Sequence, residues 1–452
     1  MNRSTLHAIL FCLLAATATG YPASEGGNKA SADSASVAAI SAAPFEAGTG
    51  SVDITPTGEV ILVGSPTLKK TSTVAIPLFA KALVISASGQ KVAIVTLDTL
   101  KYPMSLALEA RKRIEQNTGI PVGNVIICAS HTHSGPLWTS YKDRLITPIC
   151  EAVNMANRDL EPCKLGVSKG KVEGLNENRR VVKEGTTWNR WQLPPAEAER
   201  YPAEGPADPE VEVLAVVGKD GRYKAILFNY ACHAAYNHSL TISADFPGEV
   251  RKHVREQLGY DAPTLFLTGA CGDVNPTIGT KGEDFAEKLG GEVLRCAGQI
   301  EFIGKPAVRI ESRQEEIAGR EHPVFNQADV ALKWPGQVEH YRMSYASMKL
   351  QEKPAYPCPL TGIRIGDDFA LVTCPVELFN GIGMSIKKQS PFKYTMVVEQ
   401  TNGAHGYVPT AGAFAGGGYE TWYGLHSYLS TQAGEIIEKE SVDILKRLKS
   451  EN

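Results

Sequence analysis

The chain has 452 residues, which is enough for one large domain or two modest ones. Hydrophobic residues make up 43% of it and charged residues 21%, a balance that excludes a disordered protein and allows a large core. Lys and Arg together number 46 against 49 Asp and Glu, and the net charge of −3 argues against a general nucleic-acid or polybasic membrane binder.

The N-terminus has the pattern of an export signal. Arg3 precedes the apolar run 8–16, and small residues that suit cleavage follow it. The pattern predicts a signal peptide over residues 1–20, a flexible Ala/Ser/Gly-rich leader over 21–44, and export to the periplasm or the medium. Cys12 raises the alternative of a lipoprotein, which is less favoured because the three residues before it are large and apolar. No later stretch approaches about 20 uninterrupted apolar residues, so we expect no transmembrane segment.

From residue 45 onward, β-branched runs alternate with amphipathic helical patterns, which predicts an α/β fold of mixed sheets with flanking helices. The predicted strands are 81–86, 92–97, 124–129, 211–217, 222–229, 264–267, 362–365, 370–373 and 395–399. The predicted helices are 105–116, 246–258, 284–300, one after Pro375, and 431–449. Because no clear linker interrupts them, we expect a single large domain over residues 45–450, with the Pro-rich segment 188–208 as a long surface loop.

Eight cysteines follow the predicted signal peptide, and none forms a CxxC pair, so a cysteine zinc site is not expected. Four lie in apolar runs and are expected to act as small buried hydrophobic side chains, namely Cys128, Cys232, Cys271 and Cys374. The other four lie in more polar surroundings, where export would permit disulfides, namely Cys150, Cys163, Cys296 and Cys358. The sequence does not indicate which of these would pair.

The pattern richest in chemistry is His131-Thr132-His133, directly after the apolar run 125–129. Such a run is typical of a buried strand, and active sites of α/β sheets collect at strand ends. In an extended chain, His131 and His133 point to the same side with Cα atoms about 7 Å apart. Both imidazoles could then bind one metal ion, or one could bind it while the other works beside it. A pair of surface histidines is the alternative.

Three further apolar runs end in polar residues. One leads to His233, one to the segment 271–276, and one through a proline to Glu377. Each is weak alone, because a lone strand-end histidine is more often a core residue than a ligand. Together, several strands that each deliver a metal-binding or polar residue at one end predict a shared site.

In order along the chain, HTHSGP, the strand-end His233, GDVNP, Glu377 and GYVPT resemble the N-terminal catalytic domain of neutral/alkaline (non-lysosomal) ceramidases, which are zinc amidases that split ceramide. The segment 50–56 also looks like that family's first strand, and the resemblance covers most of residues 47–430. It implies a Zn²⁺ ion, His133 beside that ion, and Arg179 in a substrate pocket. The zinc ligands that the resemblance implies are His131, His233, Glu377 and Tyr407.

Two histidines, a carboxylate and a phenolate form an N/O-rich ligand set that suits zinc. A tyrosine ligand is unusual, because free Tyr ionises near ~10 and needs a nearby dication to lose its proton. The alternative for Tyr407 is a packed aromatic ring in a loop. For Arg179 it is an exposed basic residue or a structural salt bridge.

The chain departs from the ceramidase pattern in two ways. Asn275 stands where ceramidases carry a catalytic Ser, and no C-terminal immunoglobulin-like domain is expected after the last helix. An amide cannot act as a nucleophile or take a proton at neutral pH, but it can donate a hydrogen bond to an oxyanion. These departures put ceramide itself in doubt as the substrate, while the zinc site stays intact.

The sequence therefore predicts an exported zinc-dependent hydrolase that attacks an N-acyl amide bond with water activated by the metal. His133 is expected to carry the proton to the leaving group, and Asn275 or Tyr407 to lie near the developing oxyanion. The expected partner is a small-molecule or lipid-like N-acyl substrate, without nucleic acid. The sequence does not indicate the acyl chain, the oligomeric state or the metal that is loaded.

Two alternatives remain open. One is a zinc hydrolase of a glycan-linked or other non-ceramide ester or amide, and the other is a non-catalytic relative that binds such a ligand. A long apolar groove would favour a lipid, whereas aromatic side chains around the opening would favour a sugar. The candidate aromatic residues are Trp188, Trp191, Trp422 and Tyr423.

Overall fold

Strands and helices alternate along the part of the chain that the computed structural model describes, residues 45–63, 69–137, 141, 144–237 and 239–450. The predicted signal peptide, the leader and Cys12 lie outside the described residues. The strands, β1 to β21 in chain order, are Phe45–Asp53, Val60–Leu62, Lys69–Thr71, Phe79–Ala87, Gln90–Leu97, Val125–Ala129, Glu161–Lys171, Asn176–Asn178, Arg180–Lys183, Thr186–Asn189, Glu210–Val217, Tyr223–Tyr230, Thr264–Thr268, Val274–Pro276, Glu301–Phe302, Val308–Ala318, Ala355–Ile365, Phe369–Thr373, Glu377–Leu378, Tyr394–Val398 and Tyr407–Val408.

Most helices of seven or more residues cover the outer faces of the two sheets, and Gln327–Lys333 and Val338–Leu350 form a separate pair. They are Met104–Thr118, Ile146–Arg158, Asp245–Leu258, Gly291–Ala297, Gln327–Lys333, Val338–Leu350, Asn380–Gln389 and Ala433–Ser450. Shorter helical turns are Val122–Asn124, Arg190–Gln192, Pro195–Ala198, Gly282–Asp284, Pro335–Gln337, Ala413–Gly416 and Tyr419–Thr421, with a π-helical turn at Phe285–Gly290. No helix among the described residues is both long and apolar enough to cross a bilayer.

The main sheet has the strand order β13-β12-β11-β7-β1-β4-β5-β6, and β15 also pairs with β7. Its middle is antiparallel, but both end pairs, β5–β6 and β12–β13, are parallel. A parallel pair needs a crossover connection, which the helices Met104–Thr118 and Asp245–Leu258 provide. The two edge strands approach each other, because the Thr268 hydroxyl after β13 donates a 2.8 Å hydrogen bond to the Ala129 carbonyl at the end of β6.

A second sheet, in the order β16-β17-β18-β20, packs on the main sheet. One apolar cluster contains buried side chains of both sheets, such as Leu83 and Leu214 from the first and Ile363 and Leu371 from the second. Helices cover the outer face of each sheet, so that the chain forms helix, sheet, sheet and helix layers. The mixed α/β fold with flanking helices is therefore confirmed.

Local sequence signals place many elements correctly. The predicted helix 105–116 is Met104–Thr118, and Gly119 ends it with a φ of 72°, which a residue without Cβ adopts at little cost. The predicted helix after Pro375 begins only at Asn380, because β19 occupies the intervening residues. Segment 188–208 lies mostly at the surface, as predicted, and no domain boundary falls there. It also contains the end of β10 and two short helical turns, and it buries Leu193 and Ala198.

All eight described cysteines are buried free thiols. The four that were expected to act as small hydrophobic side chains are confirmed in that role. The four in more polar stretches are buried as well, at 0–6% exposure, and no disulfide joins them in the described part of the chain. Burial raises the pKa of the Cys358 thiol to about 12, which keeps this thiol protonated and unreactive at neutral pH.

Candidate metal centre and substrate cavity

His131, His133 and His233 form a cluster of three imidazoles. Their ring centroids lie 4.6 to 5.5 Å apart, and each offers a ring nitrogen within 4.8 Å of the others. His131 and His233 are buried, whereas His133 is half-buried. Imidazoles gathered at this spacing are a metal-binding arrangement, because neutral imidazole is the commonest metal ligand among side chains.

The approach of the two edge strands of the main sheet brings these histidines together. His131 and His133 follow β6 at one edge, and His233 follows β12 next to the other edge. The expected extended geometry of the first pair is wrong, because His131 has a φ of 61° and turns the chain sharply after β6. The turn still leaves both imidazoles on the same site, with their ring centroids 5.1 Å apart.

Backbone carbonyls fix the orientation of the two buried imidazoles. His131 donates from Nδ1 to the Leu100 carbonyl at 2.7 Å, and His233 donates from Nδ1 to the carbonyls of Cys271 and Val274 at 2.8 and 3.0 Å. A carbonyl accepts only, so Nδ1 carries the proton in both rings. In the neutral ring, the lone pair of Nε2 is then available to coordinate a metal ion.

Glu377, at the start of β19, completes this group. Its Oε2 atom lies 3.5 Å from His131 Nε2 and 3.7 Å from His233 Nε2. Glu377 Oε2 and His131 Nε2 are buried and have no hydrogen-bond partner among the described residues. Two atoms that coordinate one tetrahedral zinc ion at 2.0–2.2 Å lie about 3.4 Å apart, so the spacing and the orphaned atoms both fit such an ion.

Electrostatics hold these groups in their metal-binding forms. Burial raises the pKa of Glu377, but His131 and His233 outweigh it and hold that pKa well below its usual range, so the carboxylate is ionised. Burial, helped by Arg179, lowers the pKa of His233 to about 4, so this imidazole is neutral at pH 7. An ionised carboxylate and a neutral imidazole are the forms that bind divalent zinc.

Tyr407 lies next to Glu377 because β19 and β21 pair in parallel with these two residues in register. Its phenol is buried, and burial together with the Glu377 charge raises its pKa well above the usual value. The phenol is therefore neutral in the protein alone, and a phenolate at this position requires a cation beside it. The role of Tyr407 as a fourth ligand stays a prediction.

Two glycines of the recognised motifs allow this close packing. A Cβ atom on Gly272, in GDVNP, would lie 2.6 Å from the Glu377 carbonyl oxygen. Gly406, in GYVPT, has a φ of 79°, and a Cβ atom there would overlap the backbone of His426. Any larger residue at either position would push apart the segments that carry Glu377 and Tyr407.

Arg179 connects the histidine cluster to a buried acid. Its Nη1 donates to Asn275 Oδ1 at 3.0 Å and lies 3.2 Å from His233 Nε2, while its Nε pairs with Glu420 Oε1 at 2.8 Å. Glu420 is fully buried and also pairs with Arg180. Arg179 is therefore a member of a buried salt bridge, and its role in binding substrate stays a prediction.

A cavity of about 620 Å³ opens onto the cluster. Four of the predicted site residues line it, namely His133, Arg179, Asn275 and Tyr407. The other three, His131, His233 and Glu377, are buried and are not part of the cavity wall. The cavity therefore gives a bound molecule access to the half-buried imidazole, the guanidinium, the amide and the phenol.

Of the aromatic residues that were expected around the opening, Trp191 lines the cavity. The other three candidates do not line it. Trp188 packs on a small cluster around Val181, and Trp422 and Tyr423 are buried at 6% and 5% exposure. Trp334 and Tyr419, which the sequence patterns did not single out, line the cavity instead.

The segment Glu399–Asn402 joins the strands that carry the histidines and Glu377. The Gln400 carbonyl accepts a hydrogen bond from Ala129 N on β6, and Glu399 N donates to the Thr268 carbonyl on β13. The buried Glu399 carboxylate accepts hydrogen bonds from Cys271 N at 3.1 Å and Leu378 N at 2.7 Å. These partners adjoin the His233 support and Glu377, so this segment sets the relative positions of the candidate ligands.

Comparison with known proteins identifies the family. Residues 45–322 match the family of neutral/alkaline non-lysosomal ceramidases, N-terminal domain. The chain belongs to this family. The match covers well over half of the 452 residues and confirms the resemblance seen in the sequence motifs.

Individual ceramidases are more distant relatives. The chain is 25% identical to the neutral ceramidase of Pseudomonas aeruginosa over 265 residues, which cover 53% of this chain but only 38% of that protein. The crystal structure of neutral ceramidase from Pseudomonas aeruginosa superposes with a TM-score of 0.69 and 18% identity, covering 90% of this chain and 75% of that one. A ceramidase complexed with C2 gives a TM-score of 0.67 at 16% identity, with the same coverage. The likeness at these identities shows a shared ceramidase fold.

Several residues of the ceramidase-fold site escape sequence reasoning. Glu420 and Glu399 are lone acids in segments without a metal-binding pattern, and their role depends on hydrogen bonds between distant segments. Trp334 and Tyr419 reach the cavity from segments far along the chain from Trp191. The only local signal was the aromatic content of YETWYG around Tyr419, which equally fits a packed loop.

Proposed function

We propose that this chain is a zinc-dependent hydrolase of N-acyl amide bonds that is exported through its N-terminal signal sequence. The observation that carries the proposal is a buried carboxylate oxygen, Glu377 Oε2, that lies 3.5 Å from His131 Nε2 and 3.7 Å from His233 Nε2, beside a cavity. Membership of the ceramidase family supports amide hydrolysis as the reaction class. The apolar run after Arg3 supports export.

The residues that would hold the ion are His131, His233, Glu377 and Tyr407. When bound, zinc lowers the pKa of a water molecule towards ~7 and polarises a carbonyl group. The carbonyl acceptors at Nδ1 leave Nε2 of both buried imidazoles for the ion, and the lowered pKa values of His233 and Glu377 keep these two groups in their metal-binding forms.

The cavity residues act on the substrate. His133 lines the cavity beside the other two imidazoles, where it moves a proton to the leaving nitrogen. Asn275 uses its Oδ1 atom to accept from Arg179, which leaves its Nδ2 group to donate a hydrogen bond to the oxyanion that develops on the carbonyl. This arrangement needs no nucleophilic side chain at position 275.

Metal analysis of single variants tests the proposal. His131→Ala and His233→Ala are expected to lose zinc and activity, because each removes a ligand atom that no other described side chain replaces. His133→Ala is expected to keep zinc and to lose about 10²- to 10⁴-fold in rate, the usual contribution of a general acid or base. His340→Ala, on an exposed helix surface, is the control and should change neither quantity.

The measurements are zinc content by elemental analysis and amine release from a panel of N-acyl compounds, with and without chelator. Full zinc occupancy without His131 would overturn the ligand assignment. Loss of zinc from His133→Ala would make that residue a ligand instead of the proton carrier. Stoichiometric zinc with no amine release from any compound would mean that the chain is a binding protein that keeps the ceramidase fold.

A further inference from the structure

Three aromatic rings pack edge to face on the wall of the cavity, with interplanar angles of 61° to 74°. The ring centroids of Trp191, Trp334 and Tyr419 lie 6.1 to 6.5 Å apart, and all three residues line the cavity. Trp191 is 41% exposed although its side chain is large and apolar. An indole exposed inside a concave site offers a ligand a flat apolar surface with a polar edge.

Polar side chains surround these three rings. Arg190 and Glu177 form an ion pair with 3.2 Å between Nε and Oε2, and both line the cavity. Arg179 also lines it, and its Nη2 group is buried without a hydrogen-bond partner in the described part of the chain. A buried donor of this kind is costly unless a bound molecule supplies an acceptor. The cavity therefore favours a ligand with several hydroxyl or carbonyl oxygens.

The polar part of this wall suits an alkyl chain poorly. A sphingoid or long acyl chain that lay along it would cover the Arg190–Glu177 ion pair, whose side chains are 16% and 23% exposed, without replacing their hydrogen bonds to water. A saccharide ring matches the wall better, because its C–H faces are flat and apolar while hydroxyl groups surround its edge. The volume of about 620 Å³ lies within the usual range for small-molecule sites.

We infer that the head group bound in this cavity is a hydroxylated ring and that the substrate is an N-acylated amino sugar, stacked on the exposed indole of Trp191. The inference rests on the amide hydrolysis proposed above and adds the substrate class to it. In the reaction, the oxygen of water bonds to the acyl carbon and the C–N bond breaks. The amino-sugar nitrogen takes up both protons of the water, so that the products are a carboxylate and the protonated amino sugar.

Binding of N,N′-diacetylchitobiose to the zinc-loaded full-length protein tests the head group independently of turnover. Trp191→Ala is expected to weaken binding, measured by calorimetry, about tenfold or more, because it removes a stacking surface. Trp191→Phe should retain most of the affinity. Trp188→Ala is the matched control, since Trp188 lies three residues before Trp191, in β10, and does not line the cavity.

A competing lipid and a turnover measurement separate the two proposals. N-acetylsphingosine in detergent micelles is compared with the disaccharide for binding and for amine release. Tighter binding and faster cleavage of the lipid, with no detectable binding of the sugar, would overturn the inference and leave amide hydrolysis standing. Sugar binding that depends on Trp191 without amine release from either compound would support the head group and overturn the hydrolytic function. Preferential binding and deacetylation of the sugar would support both.

Discussion

Glu420 is the residue on which the position of Arg179 depends. Its two carboxylate oxygens pair with Arg179 and Arg180, and all three side chains are buried. Removing one partner of such a group leaves an uncompensated buried charge, which usually costs about 3–5 kcal/mol. The same change frees the guanidinium of Arg179 to leave its contacts with Asn275 and His233. Glu420 is therefore expected to act on the substrate through Arg179.

Glu420→Gln tests this positioning role. We expect a raised KM with little change in zinc content, because the amide keeps the shape of the side chain but not its charge. The free energy of unfolding should fall by a few kcal/mol. Glu204→Gln is the matched control, since Glu204 pairs with Arg180 but not with Arg179. The role is refuted if both variants lose stability and neither changes KM.

Glu212 makes the stability of the protein dependent on pH. It is buried on β11, its Oε1 accepts from Thr395 N at 3.0 Å, and burial outweighs nearby Lys387 to raise its pKa from 4.5 to about 7. Between these values the folded carboxyl keeps a proton that the unfolded chain has lost. The free energy of unfolding must therefore fall as pH rises from 4.5 to 7.

Glu212→Gln is expected to remove this dependence. Near pH 4.5 the variant and the parent should be equally stable, and at pH 8 the variant should be more stable by about 2–3 kcal/mol, because its neutral amide carries no charge to bury. Urea unfolding over this pH range measures the difference, with the exposed Glu316→Gln as control. A variant that is less stable than the parent at pH 8 would show that the carboxylate is compensated in the fold.

At the scale of elements, hydrophobic periodicity and turn residues predict those strands, helices and hairpins whose formation depends on residues close together in the sequence. Strands 211–217 and 222–229 were predicted from their apolar runs, and they form the hairpin β11–β12, in which Gly221 has a φ of 79°. The approach of β6 to β13 could not be predicted in this way, because it depends on hydrogen bonds to the segment Glu399–Asn402. The strand-end pattern and the family motifs predicted that His131, His233 and Glu377 meet. Their spacing along the chain did not.

The geometry around the histidines shows the same limit. Spacing predicted an extended His131-Thr132-His133, but the bond from His131 Nδ1 to the Leu100 carbonyl and a positive φ override the strand pattern. The segment 188–208 looked like a surface loop because it is rich in Pro and Glu. Its first half also forms one side of the cavity, and its Leu193 and Ala198 side chains pack against Val181.

Asn402 tests whether the segment Glu399–Asn402 controls the metal centre. Its side chain accepts from Ile127 N at 2.9 Å and donates to the Val125 carbonyl at 3.3 Å, both on β6, and its φ is 59°. Asn402→Ala removes both hydrogen bonds and introduces backbone strain, whereas Asn402→Gly removes the bonds without the strain. Both variants should bind zinc more weakly than the parent. The alanine variant should be less stable than the glycine variant by about 1 kcal/mol.

Chemical unfolding and competition with a chromogenic chelator measure the two effects on Asn402 variants. Because His131 follows β6 directly, a shift of this strand moves its Nε2 atom away from Glu377. If both variants keep the zinc affinity of the parent while they lose stability, this segment supports the sheet but does not position the ligands.

For the whole molecule, the candidate ligands join parts of the fold that the sequence separates widely. His131 follows one edge strand of the main sheet, His233 lies next to the other edge, and Glu377 follows the second sheet. An ion held by all three links both edges and both sheets, and these groups reach this geometry only in the folded chain. Metal binding should therefore stabilise the entire described domain and not the site alone.

Thermal unfolding tests this coupling. A ligand that binds only the folded state adds about 4 kcal/mol when its free concentration is a thousand times Kd, so zinc should raise Tm by several degrees and a chelator should reverse the shift. The shift should grow with zinc concentration in the parent and vanish in His131→Ala, which lacks one of the linking ligands. His340→Ala should shift as the parent does. A shift of equal size in His131→Ala would mean that zinc binds elsewhere on the chain, because the linkage between the sheet edges cannot survive the loss of that imidazole.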